Sequence, residues 1–343
     1  MIADRRTFIL DFTETTKVRM MTASYDFLGF VEGAWNPEDL VALPGTPWII
    51  VSAMRSARHP GRLFKADRTR PSAVSELRWD AAPEQGQLGP DVFNPHGIAA
   101  RQLAAGTFEM LVVDHGGGEA IDRLLLELRD EGPVVVEAER LVQPSGTSAN
   151  AVAHMQDGGF VMTSMFDPGD TDTLLRFARG EKTGQVWRWS RSRGWNRFGE
   201  LQMSGANGIA VSSDGRSVLV CEWAARRVWR LDEHGRPIAS VGTDFLPDNL
   251  RWTTDGRLLL AGQLDRPERV FGCEARGERC PLAFKVVRLD PVSLEIEPLI
   301  AMDDASATAT GFGGATGALM VDELIWVGSF TGMRIGVFGP VST

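Results

Sequence analysis

A short pattern recurs along this chain: a polar residue, a brief apolar strand, an Asp-Gly turn and a second, more apolar strand. Its clearest copy is Asn207-Gly-Ile-Ala-Val-Ser-Ser-Asp214-Gly215, leading into Val218-Leu-Val. Asp-Gly between two apolar runs is a strong hairpin signal, because the turn needs a positive φ that glycine adopts freely. Asn150 is likewise followed seven residues later by Asp157-Gly158 and then Phe160-Val-Met, and Asp248 by Asp255-Gly256 and Leu258-Leu-Leu. Looser copies start at Glu38 (turn Pro44-Gly45, strand Trp48-Ile-Ile-Val), His96 (strand Met110-Leu-Val-Val) and Thr316 (turn Asp322-Glu323, strand Leu324-Ile-Trp-Val). Successive starts lie 58, 54, 57, 41 and 68 residues apart. Hairpins at this period predict an all-β fold, a six-bladed β-propeller that occupies residues 1–343 as one domain.

Geometry turns the repeat into a site. The innermost strands of a propeller run beside one another around a central channel, so residues at equivalent strand starts meet in a ring at one mouth. The ring would hold Glu38, His96, Asn150, Asn207 and Asp248, with Asn249 beside it. Asn and Asp also open strands simply as turn formers, but turn chemistry does not fix their distance from a later Asp-Gly.

The ring chemistry is that of hard oxygen donors. Glu38 and Asp248 bring carboxylates, and Asn150, Asn207 and Asn249 bring amide carbonyls. Such a set suits Ca2+ best, and Mg2+ and Mn2+ share the donor preference. It predicts a central metal site whose cation polarises a substrate carbonyl. His96 occupies a ring position, and His115 ends the next strand of the same hairpin, so the two imidazoles can meet. A histidine near neutral pKa can take a proton from water while a second one orients it. His154, inside an inner strand, reads as a packed residue, and His59 and His234 as solvated ones.

The remaining segments read as follows. Phe8-Ile-Leu-Asp-Phe is a strand that helps close the last blade. Residues 55–92, rich in Arg, Pro and Gly, are a long connection between the first two blades. The stretch 120–131 fits a helical face or a hairpin, and the repeat favours outer strands. Asp167 to Gly180 is a linker with a short helix around Asp172 to Ala178, capping the channel mouth. Thr308 to Gly317 matches no phosphate-loop spacing and is a loop leading to the sixth inner strand. Gln185-Val-Trp-Arg-Trp reads as an outer blade strand and not as a nucleic-acid surface. The net charge of −9 argues against nucleic acid as a partner.

No apolar run approaches the ~20 residues of a membrane-spanning helix. As numbered, the chain lacks a secretory signal and reads as cytoplasmic; a leader removed earlier would place it in the periplasm or outside. Cys221 reads as a core thiol. Cys273 and Cys280 flank a polar loop that a disulfide could close, or could remain thiols.

At these residues the chain resembles the paraoxonase/arylesterase family of calcium-dependent six-bladed propellers. The likeness is carried by Asn94-Pro-His96-Gly-Ile, Leu111-Val-Val-Asp-His115, Ala206-Asn207-Gly-Ile-Ala-Val-Ser-Ser-Asp-Gly, Asp248-Asn249-Leu, Glu38-Asp39 and Gly314-Ala-Thr-Gly-Ala. It runs in order from about residue 30 to the C-terminus. More loosely it extends to the gluconolactonase and senescence-marker-protein group and to strictosidine-synthase-like propellers. The resemblance implies a catalytic calcium held at Glu38, Asn150, Asn207, Asp248 and Asn249, and water activated by His96 and His115. It also implies a second, structural calcium at Asp39 and the residue after Asn150; here that residue is Ala151, which puts the second ion in question.

The expected function is therefore a calcium-dependent hydrolase acting on a small-molecule lactone or aryl ester, with Met165, Phe166 and Phe330 as an apolar pocket wall. A metal-dependent lyase, hydratase or isomerase would use the same ring, and a non-catalytic propeller would use it only to bind. Product identity separates the first two: hydrolysis adds one water and a new carboxylate. Neither the natural substrate nor the oligomeric state follows from the residues.

Overall fold

The computed structural model describes residues 24–70, 74–80, 92–274 and 281–341. These form six antiparallel sheets, each a blade. From the axis outwards, blade I is Pro37–Ala42, Trp48–Ala53, Arg62–Asp67 and Ser75–Glu76. Blade II is Pro95–Ala104, Thr107–Asp114, Ala120–Arg129 and Gly132–Val142, with Arg78–Trp79 added in parallel at its edge. Blades III, IV and V begin with inner strands Ser148–His154, Ala206–Val211 and Leu246–Trp252. Blade VI is Ala315–Val321, Leu324–Ser329, Arg334–Pro340 and, outermost, Tyr25–Glu32 from the start of the described chain. Inner strands touch in circular order, VI against I included, so the ring is closed.

Closure explains why hairpins this short hold. A lone four-stranded sheet leaves one face in water, whereas here both faces of each blade pack against neighbours. Between blades V and VI lie Leu259, Ile300, Phe312, Ala318 and Phe338, and between I and II lie Ile50, Leu63, Ile98, Phe108 and Met110, all buried. Fully burying one such side chain contributes roughly 1.5–3 kcal/mol.

The stretch 120–131 forms blade strands, Gly184–Ser190 is the third strand of blade III, and Thr173–Ala178 is a helix, α1. Two readings need correction. Residues 55–92 are not only a connection: Leu63, Phe64 and Ala66 are buried in the third strand of blade I, where intervening charges hid the alternation. Likewise 308–317 begins inside a helix. A second helix, α2, spans Pro267–Glu274, and α3 spans Asp304–Thr310. Asp303 caps α3 by accepting from the Ser306 N–H at 2.7 Å, and Gly311 ends it in the left-handed region.

Phe8 to Phe12 lie outside the described residues; the outer strand of blade VI is Tyr25–Glu32. Cys221 is a free, buried thiol and Cys273 is disulfide-bonded, while Cys280 lies outside the described residues. Among the described residues no helix is long and apolar enough to cross a membrane.

A candidate active site at the channel mouth

Every inner strand slips register against its neighbour at the residue that opens the repeat. The slips fall between Pro37 and Asp39, Pro95 and Ile98, Ala149 and Val152, Ala206 and Ile209, Pro247 and Leu250, and Ala315 and Ala318. A bulge of this kind bends its strand and re-aims a side chain. Glu38, His96, Asn150, Asn207, Asp248 and Thr316 each sit in one. The glycines after two of them set how closely blades approach. A Cβ on Gly97 would lie 2.3 Å from the Asn150 carbonyl oxygen, and one on Gly208 would lie 2.1 Å from that of Asp248. Neither distance tolerates a side chain, so the inner strands can approach this closely at these points only because glycine stands there.

The bulges bring together residues more than two hundred positions apart. Asn249 donates its amide N–H to Glu38 Oε1 at 2.6 Å, and His96 Nε2 lies 3.4 Å from the same oxygen. Asn150 Nδ2 is 3.4 Å from His96 Nε2. Asp248 Oδ2 accepts from Gln263 at 2.7 Å, and its carboxylate also accepts from Asn207. Every one of these ring side chains except His96 is nearly or fully buried.

Two features of this cluster call for positive charge. Glu38 Oε2, Asn150 Oδ1, Asn207 Oδ1 and Asn249 Oδ1 are buried acceptors without a hydrogen-bond partner, a costly state for polar oxygens. The carboxyls are also strained electrostatically. Burial pushes Glu38 up to about 7, against the Asn249 hydrogen bond and the Arg251 charge, and burial with the nearby Glu38 carboxylate pushes Asp248 well above its ordinary range. Among the described residues no three His, Cys, Asp or Glu side chains form a metal-binding group. The donors that converge here are two carboxylates and three amides, which suits a hard cation such as Ca2+ and not zinc. Asp39 is engaged elsewhere, by the Leu40 and Ile98 N–H groups and by Arg251.

Beside the ring stands a chain of imidazoles. His96 Nδ1 is 3.0 Å from His115 Nε2, and His115 Nδ1 is 2.9 Å from Glu119 Oε2. A carboxylate can only accept, so His115 donates from Nδ1, its Nε2 accepts from His96 Nδ1–H, and the lone pair of His96 Nε2 faces the ring. The proton assignment follows from that network.

The loop carrying His115 and Glu119 is stapled from below. Arg140 donates to Asp114 Oδ2 at 2.7 Å, to Asp122, and to the Gly118 carbonyl at 2.7 Å. Asp114 in turn accepts from the Asn94 and Gly116 N–H groups at 2.7 and 2.8 Å. Burial, with the Asp114 carboxylate beside it, pushes Asp122 up to about 8, so one carboxyl of the pair stays protonated near neutrality. Arg140→Met is expected to lower the unfolding free energy by about 3 kcal/mol, because it strands a buried carboxylate. A urea midpoint measures this, and an unchanged midpoint would show that the staple is dispensable.

Above the ring opens a cavity of about 360 Å³, within the range of small-molecule pockets. Its polar side is His96, His115, Glu119, Asn150, Asn207 and Asp248; its apolar side is Met165, Phe166, Trp223, Val270, Phe271 and Phe330. α1 and α2 build that apolar side. Phe177 of α1 stacks on Phe271 of α2 at 6.0 Å between centroids, and Trp223 meets Phe271 edge-on at 5.6 Å.

A strictosidine synthase family model matches residues 149–232, which carry the bulges of blades III and IV. Among solved structures, a gluconolactonase from Xanthomonas campestris superposes at a TM-score of 0.56 and 14% identity, over 92% of this chain and 89% of that one. Regucalcin from Agrobacterium tumefaciens, a calcium-binding protein, gives 0.52 and 13%, over 92% and 94%. The chain is a six-bladed β-propeller, similar to strictosidine synthase over residues 149–232. A streptogramin B lyase shares this fold at 0.52 and 10% identity, over 92% of this chain and 97% of its own. No curated protein matches the sequence.

Three residues around the propeller's pocket lie beyond what the repeat could show. Glu119 is four residues from His115 in a Gly-rich loop, where spacing says nothing about contact. Gln263 ends an apolar strand, donating to Asp248 and accepting from Trp223 Nε1 at 3.0 Å. Phe271 belongs to α2, in a polar stretch. The usable signal was the polar end of Leu258-Leu-Leu-Ala-Gly-Gln263, equivalent to Asp114 at the end of its own strand.

Proposed function

We propose that this propeller is a Ca2+-dependent hydrolase that opens lactones or cleaves aryl esters. One observation carries the reading: three unpartnered buried amide oxygens lie with two mutually repelling carboxyls, one of which has an unpartnered oxygen of its own, directly beside a His–His–Glu chain at the floor of a pocket. Glu38, Asn150, Asn207, Asp248 and Asn249 would hold the ion, which supplies polarisation of a carbonyl and stabilisation of developing negative charge.

The chain's own residues account for the proton. His96 Nε2 accepts a proton from water as the water oxygen bonds to the carbonyl carbon. His115 receives the hydrogen bond from His96 Nδ1, and Glu119 fixes the His115 tautomer, which keeps the His96 lone pair turned inward. When the acyl–oxygen bond breaks, the protonated His96 returns the proton to the leaving alkoxide, giving a hydroxy acid from a lactone. The apolar side holds the rest of the substrate away from water.

A second reading keeps the ring and takes a carbon-bound proton instead, giving elimination without water. The fold shared with a streptogramin B lyase favours keeping it in view. A panel of aliphatic lactones and aryl esters, run with and without chelator, separates the two. Gain of one water per product, lost on chelation and restored by Ca2+, is the expected result; full turnover in chelator would defeat the ion's role.

A further inference from the structure

Arg251 lies two residues past Asn249 on the inner strand of blade V, so its side chain leaves the same face one pleat further along the channel. There it gathers oxygens from three blades. Nε donates to the Leu40 carbonyl at 2.8 Å, one terminal nitrogen to the Leu250 carbonyl at 3.0 Å, and the other to the Ile98 carbonyl at 2.6 Å and to the Asp39 carboxylate. A carboxylate and carbonyls from blades I, II and V are the donors a hard cation would collect. The second calcium that the family resemblance implies would need Asp39 and an acidic residue after Asn150. Ala151 stands at the latter place, and the oxygens of Asp39 are already engaged. Charge is consistent with this, because the guanidinium and the Asp39 carboxylate cancel.

We propose that the Arg251 side chain is the channel's own second cation, tethered to the chain and filling the oxygen cage of Asp39, Leu40 and Ile98, so that no second divalent ion is bound. Guanidinium stays charged throughout the working pH range and its planar fork reaches several acceptors at once. The tie between blades I, II and V therefore persists when metal is stripped. It also holds the backbone next to Glu38 in place, whatever occupies the ring.

The test compares ion counts and melting temperatures across wild type, Arg251→Ala and Arg251→Lys. Equilibrium dialysis is expected to show one more Ca2+ per chain in Arg251→Ala than in wild type, and none extra in Arg251→Lys. The alanine variant should also lose roughly 5–10 °C in Tm, with recovery on adding either Ca2+ or methylguanidinium. Because the count is relative, it stands whether or not the ring itself holds an ion, so it can fail independently of the hydrolase reading. Equal counts in wild type and Arg251→Ala with no recovery from either cation would overturn the proposal, as would two ions in wild type. If Arg251→Ala does not accumulate folded, refolding from urea decides: recovery only with an added cation supports the substitution, and no recovery with either cation refutes it.

Discussion

Ca2+ added to chelator-treated protein is expected to raise its Tm by roughly 5–10 °C, and Asp248→Asn to abolish that rise. An ion held a thousandfold below its working concentration contributes about 4 kcal/mol to stability, and large domains convert each kcal/mol into about 2 °C or slightly more. The contribution is this large because the ring without a cation is costly, with carboxyls and orphaned amide oxygens buried together. Its pH dependence has a definite sign. Without an ion, Glu38 titrates at about 7 in the folded protein against an ordinary 4.5. Between those values the folded state binds more protons than the unfolded chain. The contribution of Glu38 is therefore full below about 4.5 and is lost as pH rises through 7. Asp248 and Asp39, the latter pushed to about 6, act in the same direction.

An ion replaces those protons. Saturating Ca2+ is therefore expected to flatten the slope, and Ca2+ affinity to fall as pH drops below 7. His154 contributes the opposite trend between about 4 and 6.5, because burial pushes its imidazole down to about 4. It lies at the far end of its strand from Asn150, so subtracting the two stability curves isolates the ring. A Tm that ignores Ca2+ at every pH would remove the basis for a metal-dependent reaction.

The second large effect is catalytic. His115→Gln is expected to lower kcat for lactone opening by about 10²–10⁴-fold, the usual contribution of a positioned acid–base group. It should leave the Ca2+-induced Tm rise intact, because His115 offers the proposed ion no ligand and its hydrogen bond toward the ring runs to His96 Nδ1. Stopped or steady-state assays at matched Ca2+ content give the first quantity and thermal unfolding the second. Normal turnover in His115→Gln would remove the imidazole chain from the chemistry. Loss of the Tm rise would instead make His115 part of the cation floor.

How far the sequence could be read depends on what each residue answers to. Asn150, Asn207 and Asp248 were legible because their distance to the following Asp-Gly is set by strand length, and the register slip that turns them inward recurs in every blade. His115 was legible as the end of a strand paired with the one carrying His96. Arg140, Gln263 and Glu119 were not, because a staple between outer strands and a loop leaves no period. The helices α1 and α2 illustrate the same divide. Asp172 to Ala178 shows an apolar face, whereas Val270 and Phe271 sit among charges, and only their meeting with Phe177 and Trp223 gives them a role. Strand Arg62–Asp67 was missed because its charged residues alternate with buried ones in a stretch dominated by Arg and Pro.

Blade VI is finished by Tyr25–Glu32, which pairs with Arg334–Pro340 at the other end of the chain. During synthesis, then, the earliest described strand must wait for the last described one to emerge from the ribosome. Glu38 follows that strand directly, while Asp248 and Asn249 appear more than two hundred residues later. The five proposed ion ligands therefore lie on four blades made far apart in time. On the proposed calcium reading, uptake of Ca2+ by stalled nascent chains of increasing length is expected to begin only once all of those blades have been made, and not with the folding of any single blade.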